Sequence, residues 1–313
     1  MRSYNELMNY IYTNMSLNFS RCENISLALQ KLIKKDIIEK PKCKSLFLKP
    51  ITKIPKVIEN FVKRIENQKA DLEKYGYENI FKNKNDKCLK LKTSSRLVIG
   101  LGSGHVLETS LTLHHLFGIP YIPGSALKGV VRMVNFWEIV ENNKNNVKDI
   151  EKYIKELQEQ LYEKEILPSD KDDILKHKLL FGAQNFKGLL IFLDAYPEIN
   201  ENQQIFELDV MTPHYQGYYT KNQPPGDWEN PNPITFLTVK KGISFCFNVL
   251  FDRFRAEEIL NDDRFSKKAK EIIEGWLNKF SELSQLVKDW LEKALKEFGV
   301  GAKARLGYGI FEE

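Results

Sequence analysis

Apolar and polar positions fall into distinct regimes along the 313 residues. Near the start, Ile25, Leu29, Leu32 and Ile33 recur at helical spacing, as do Val57, Ile58, Phe61, Val62 and Ile65. This predicts helices separated by loops, with breaks at Pro41, Pro50 and Pro55. The Lys/Asn-rich stretch from Lys82 to Lys92 reads as a linker. From Ser95 the period shortens. Arg96–Gly100 reads as a strand, and Thr109–His114 alternates like a second. Pro123–Gly129 then opens a helix, with Ser125 placed as its N-cap. Residues 142–173 are densely charged and helical in pattern, and are taken as an insertion.

Gly188–Asp194 is a nearly continuous apolar run of strand length. Residues 211–235 form a long loop or hairpin with five prolines, followed by strands at Phe236–Val239 and Ile243–Leu250. Ile272, Trp276, Phe280, Leu283, Val287, Trp290 and Ala294 mark one face of a long amphipathic helix. That helix runs into a glycine-rich basic loop at 299–309, and Ile310 and Phe311 begin a short closing strand. The order predicts an α+β fold with a ferredoxin-like, RNA-recognition-motif-like core over 93–313. A helical N-terminal extension (1–92) and the helical insertion are added to that core.

Composition is that of an ordinary globular chain, with 42% hydrophobic and 28% charged residues. The net charge of +5 is unevenly spread: residues 1–92 carry +10 and the remainder −5. A basic arm on a mildly acidic body suits a polyanion or an acidic protein surface. The four cysteines, Cys22, Cys43, Cys88 and Cys246, form no C-x-x-C pair. Neither a disulfide framework nor a zinc site is expected from them, and free thiols suit a reducing compartment. No signal core or membrane-spanning run is evident, so a soluble cytoplasmic protein is expected.

The candidate chemistry is phosphate binding. Gly299, Gly301, Gly307 and Gly309 surround Lys303 and Arg305, a loop able to lay backbone N–H groups and two cations on a phosphate chain. It lacks the Gly-Lys-Ser/Thr ending of a nucleotide P-loop, which favours a sugar–phosphate strand over a mononucleotide. Ser125, Lys128 and Arg132 share one face of the helix opened at Pro123, and aim a hydroxyl and two cations at one place. His214 and Tyr215 lie in a loop rich in prolines and aromatics, suited to stacking on bases. Gly100-Leu101-Gly102-Ser103-Gly104-His105 has no third glycine where a dinucleotide fingerprint needs one. His114 and His115 would point to opposite faces of a strand and cannot easily share a metal. No cofactor or metal is expected.

Ile122–Gly129 and the terminal glycine-rich loop resemble motifs of the RAMP superfamily of CRISPR proteins. Phe181-Gly182 with Gly188–Pro197, Asp209–Tyr215 and Pro231–Val239 resemble the family of sixth subunits of type III-B Cmr effector complexes. This resemblance covers about residues 93–313 and implies a subunit of a ribonucleoprotein. That subunit would cap the backbone filament near the 3′ end of a CRISPR RNA. Its implied partners are guide and target RNA, the backbone RAMP subunits, a neighbouring RAMP cap subunit and the small helical subunit. The resemblance further implies guide contact at Lys128, Arg132 and 299–309, and a duplex-facing hairpin at 211–235, with no catalysis. Two other readings stay open. One is a metal-independent RAMP-type endoribonuclease using His105, His114 or His214; the other uses the basic arm to dock a neighbouring protein.

Overall fold

The structure, a computed structural model, describes residues 71–81, 88–102, 109–162, 165–199, 203–213, 215, 217–218, 222–226, 228 and 230–313. The helices expected before residue 71 and the roles expected of His105 and His214 fall outside these residues. Nine strands are found among the described residues: β1 Tyr77–Asn79, β2 Leu89–Thr93, β3 Leu190–Phe192, β4 Tyr196–Pro197, β5 Phe206–Met211, β6 Ile234–Val239, β7 Ser244–Phe247, β8 Val249–Asp252 and β9 Phe311–Glu312. They pair antiparallel as β4-β7-β2-β9, β1-β8-β3 and the two-stranded ribbon β5-β6. The fold is therefore mixed α/β with antiparallel sheets.

Two chain segments run from the three-stranded sheet into the four-stranded one. Residues 190–197 run against 245–251, but the pairing slips by one between Phe192↔Val249 and Tyr196↔Cys246. One extra residue between Leu193 and Ala195 makes a β-bulge, which bends a strand and re-aims its side chains. Here it turns Asp194 toward the start of the first long helix, whose Gly124 N–H donates to Asp194 Oδ1 at 2.7 Å.

The six helices of the described residues are α1 Gly124–Asn143, α2 Ile150–Tyr162, α3 Asp172–Phe181, α4 Arg253–Leu260, α5 Lys267–Asn278 and α6 Phe280–Lys293. Leu127, Val131 and Val134 of α1 recur at helical spacing and are buried in one core with Leu283, Val287, Trp290 and Leu291 of α6. That core also holds the sheet residues Leu91, Phe245, Phe247 and Phe311. The charged stretch contributes α2, which buries Leu157 and Leu161 in a smaller cluster with Phe136, Ile139, Val140 and Ile174. No described helix is long and apolar enough to cross a membrane.

Several expectations are corrected. Arg96–Gly100 and Thr109–His114 are extended but not ladder strands: Leu97 makes one bridge to Val239, and Leu113 one to Pro120. Both segments read as strands because Leu97, Val98, Ile99 and Leu113 are buried, although partners are few. The long C-terminal helix is two helices broken at Lys279, where φ −123° and ψ 50° leave the helical region. The apolar phase runs through the break, so periodicity alone joins them. Leu89–Lys92, read as linker, lies in β2 between β7 and β9. Cys88 and Cys246 are disulfide-bonded, their Cα atoms 5.8 Å apart, instead of free. Cys88 leads into β2 and Cys246 lies in its neighbour β7; a separation of 158 residues hides the pair from any spacing argument.

Candidate nucleic-acid interface

The C-terminal loop is held by its own backbone. After α6 a π-helical turn, Ala294–Phe298, ends at Gly299, whose φ is +75°. Val300 N–H then donates to Gly309 O at 3.0 Å, while Ala302 and Gly309 N–H donate to Val98 O and Arg96 O, each at 2.8 Å. The loop is thus a closed finger laid along residues 96–98. Gly301 (φ +98°) and Gly309 (φ +70°) are required by this closure, because a Cβ would strike the Val98 and Val300 carbonyl oxygens. These glycines admit the chain's own backbone rather than a ligand. Gly307, by contrast, has open space where a Cβ would stand.

Two cations crown the finger. Lys303 takes φ +62°, unusual without glycine, and its Nζ sits 4.9 Å from the Phe236 ring centre and 5.8 Å from that of Tyr308. Arg305 is exposed and makes no ion pair or hydrogen bond among the described residues; Leu306 beside it is 73% exposed. A knot of side chains joins the finger to the ribbon. Tyr308 Oη donates to Asp209 Oδ2, and Arg96 Nη1 donates to the same oxygen at 3.0 Å while its Nε bonds Glu207. Burial and the Asp209 carboxylate both push the Tyr308 phenol above its ordinary pKa. Sequence reasoning missed this knot: Arg96 reads only as a strand residue and Asp209 only as the start of a family motif, and nothing local links them to each other or to Glu207.

At the tip of α1 the expected phosphate cradle is already occupied by protein. Ser125 is not the N-cap. That position is Pro123, without a side-chain cap, and the Asp194 carboxylate supplies the acceptor and the negative charge that the helix N-terminus favours. Arg132 is half-buried. Its Nε donates to His177 Nε2 at 3.3 Å, its Nη2 to Leu161 O at 3.1 Å, and its guanidinium lies 4.0 Å from the Tyr162 ring centre. It knits α1 to α2 and α3 rather than facing solvent. Lys128 remains half-buried, its ammonium pKa lowered first by burial and then by Arg132 and Lys187. The charges that press on it are cations, so an incoming anion would relieve it.

His177 is buried with Nδ1 2.6 Å from Asn135 Oδ1, and its pKa is pushed down to about 3 by burial, then by Arg132 and Lys178. A neutral ring with Nδ1–H donating to Asn135 and Nε2 accepting from Arg132 satisfies both neighbours. Above pH 6.5 neither the folded nor the unfolded state carries this proton. Between about pH 6.5 and 3 the unfolded chain takes it up and the folded chain does not. Stability is expected to fall by about 1.4 kcal/mol per pH unit in that window and to level off below it. Urea unfolding of wild type and His177→Gln between pH 7 and 5 checks this: the variant's slope should be shallower by about that amount.

The two cationic elements stand at different edges of the four-stranded sheet. α1 starts beside β4, through the Ile122–Ala195 bridge, whereas the finger leads into β9. Three strand spacings, roughly 14 Å, separate those edges. Tyr215, with φ +65°, is half-buried in the ribbon's loop, and Trp228 of the same loop is 80% exposed. His114 packs among Phe117, Tyr121 and Tyr196, with ring centres 5.1, 6.3 and 6.2 Å away, and burial lowers its pKa.

A family model described as the RAMP superfamily matches residues 90–312. The CRISPR system Cmr subunit Cmr6 of Pyrococcus furiosus is 34% identical over 259 residues, covering 72% of this chain and 67% of that protein. The Cmr6 subunit of Saccharolobus solfataricus is 26% identical over 283 residues, covering 89% and 74%. Among solved structures, a chain from a type III-B Cmr-beta complex bound to cognate target RNA superposes with a TM-score of 0.53 at 19% identity. It covers 99% of this chain and 86% of its own length, a likeness of fold.

Proposed function

The chain belongs to the RAMP superfamily, and we propose that it is a non-catalytic RNA-binding subunit of a type III-B Cmr effector complex. Its place would be the cap of the backbone near the 3′ end of the guide, beside the other Cmr subunits. The Cmr6 relatives support membership of the complex. We read β2, α1, β4, β7, the α5–α6 region and β9 as the strand–helix–strand–strand–helix–strand order of a ferredoxin-like core.

The observation that carries RNA binding is the finger. Arg305 is an exposed cation with no carboxylate against it among the described residues, next to a Lys303 held on two aromatic rings. Unspent cations on a rigid loop are what a phosphate strand pairs with, and such binding is salt-sensitive and largely indifferent to sequence. Lys128 supplies a further cation at the other sheet edge, where a strand crossing the sheet would reach it. Arg132 contributes indirectly, by knitting α1 to α2 and α3.

Lys303→Ala with Arg305→Ala is expected to weaken guide binding and flatten the plot of log K against log salt by about 1.4, at ~0.7 for each single-strand phosphate left unpaired. An unchanged slope in filter binding removes the finger from the interface. Catalysis is tested separately by incubating the protein with labelled repeat RNA in EDTA. No cleavage is expected; specific cleavage abolished by His114→Ala would make the chain a nuclease.

A further inference from the structure

The knot between finger and ribbon offers a function of its own. Asp209 lies opposite Phe236 in the β5–β6 register, and Phe236 is the buried ring beneath Lys303. The Asp209 carboxylate is only 15% exposed, and one of its oxygens takes both the Tyr308 hydroxyl and the Arg96 guanidinium. Tyr308 stands on the finger, one residue before Gly309, whose amide is bonded to Arg96 O. Asp209 therefore closes a ring of interactions: ribbon to Tyr308, Tyr308 through Gly309 to Arg96, and Arg96 back to the ribbon.

We propose that Asp209 is a positioning residue that locks the C-terminal finger to the β5–β6 ribbon, so that Lys303 and Arg305 are presented in a fixed place beside that ribbon. This rests on the RNA-binding reading above for its use, but the lock itself is a property of the free chain. A carboxylate beside a phosphate path is otherwise a liability, since like charges repel. A carboxylate that merely stood there would weaken binding, and its removal would tighten it. A lock predicts the opposite sign.

The experiment compares full-length wild type with Asp209→Ala and Tyr308→Phe, the latter removing one hydroxyl and no charge. Hydrogen exchange on the free protein should speed up at the Ala302 and Gly309 amides and along 206–211 in both variants. Unaltered exchange at these amides in both variants overturns the lock. With guide RNA, dissociation should quicken by roughly three- to tenfold, the partial loss of charge-assisted hydrogen bonds expressed as a rate. The salt slope should stay at the wild-type value, because no phosphate-pairing cation is removed. Tighter binding by Asp209→Ala assigns a purely repulsive role to Asp209 and overturns the proposal, as does quickened exchange with unchanged dissociation. If wild type itself binds no RNA, the functional reading fails while the exchange data still decide the lock.

Discussion

Asp170→Ala is expected to lower the unfolding free energy by about 3–5 kcal/mol, the range for stripping one partner from a buried ion pair. Lys178 is fully buried on α3, and its Nζ donates to Asp170 Oδ2 at 2.8 Å and to Glu165 O at 2.7 Å. Asp170 also accepts from Leu167 N–H at 2.9 Å, and its carbonyl accepts from Lys268 Nζ on α5 at 3.0 Å. Removing the carboxylate leaves an ammonium facing one carbonyl inside the protein, and desolvation of that charge dominates the cost. The companion variant Asp170→Ala with Lys178→Met removes both charges and should recover much of the loss. Urea denaturation of both variants at neutral pH decides the matter. A loss below about 1 kcal/mol for the single variant would mean that Lys178 reaches water or another anion.

Gly309→Ala is expected to be nearly as damaging, and to take RNA binding with it. The residue has φ +70°, where a Cβ carries a penalty of roughly 1–2 kcal/mol. Its Cβ would also drive into the Val300 carbonyl, part of the hydrogen bond that closes the finger. Backbone cannot step aside as a flexible side chain can, so the total should reach about 3–4 kcal/mol. Gly307→Ala provides the comparison. Its φ of +86° carries the same conformational penalty, but its Cβ meets nothing, and it should cost only about 1–2 kcal/mol. Equal losses in a denaturant series would show that crowding at Gly309 is not what fixes the finger.

What the sequence shows and what it hides divide along a physical line. α1, the core strands near 190 and 236, and the finger between α6 and β9 are legible, since each announces itself within one local period. Features requiring two distant segments are not. The Asp194 cap on Gly124 comes from 70 residues away, across a bulge that no alternation marks. Ser125 is the natural local candidate because serine caps helices so often, yet the bulge delivers a better acceptor. Arg132 shows the same limit from the other side. Its helical phase beside Lys128 is right, but the neighbours that absorb it, His177, Leu161 and Tyr162, lie 29 to 45 residues on and carry no signature of contact. Lys303 and Arg305 are readable as cations. Which of them rests on aromatic rings and which stands bare is not.

The pairing of residues 190–197 with 245–251 passes from one sheet into the other, interrupted only by the bulge at 193–195 opposite Asn248. Such a seam ties the two sheets together along two continuous chain segments. The ribbon differs: its backbone joins the rest at Leu97 and Val239, and its far end at Met211 and Ile234 reaches past the core. For that arm to swing on its root and let a long polymer slip in or out, the tie from Asp209 to Tyr308 and Arg96 must first let go.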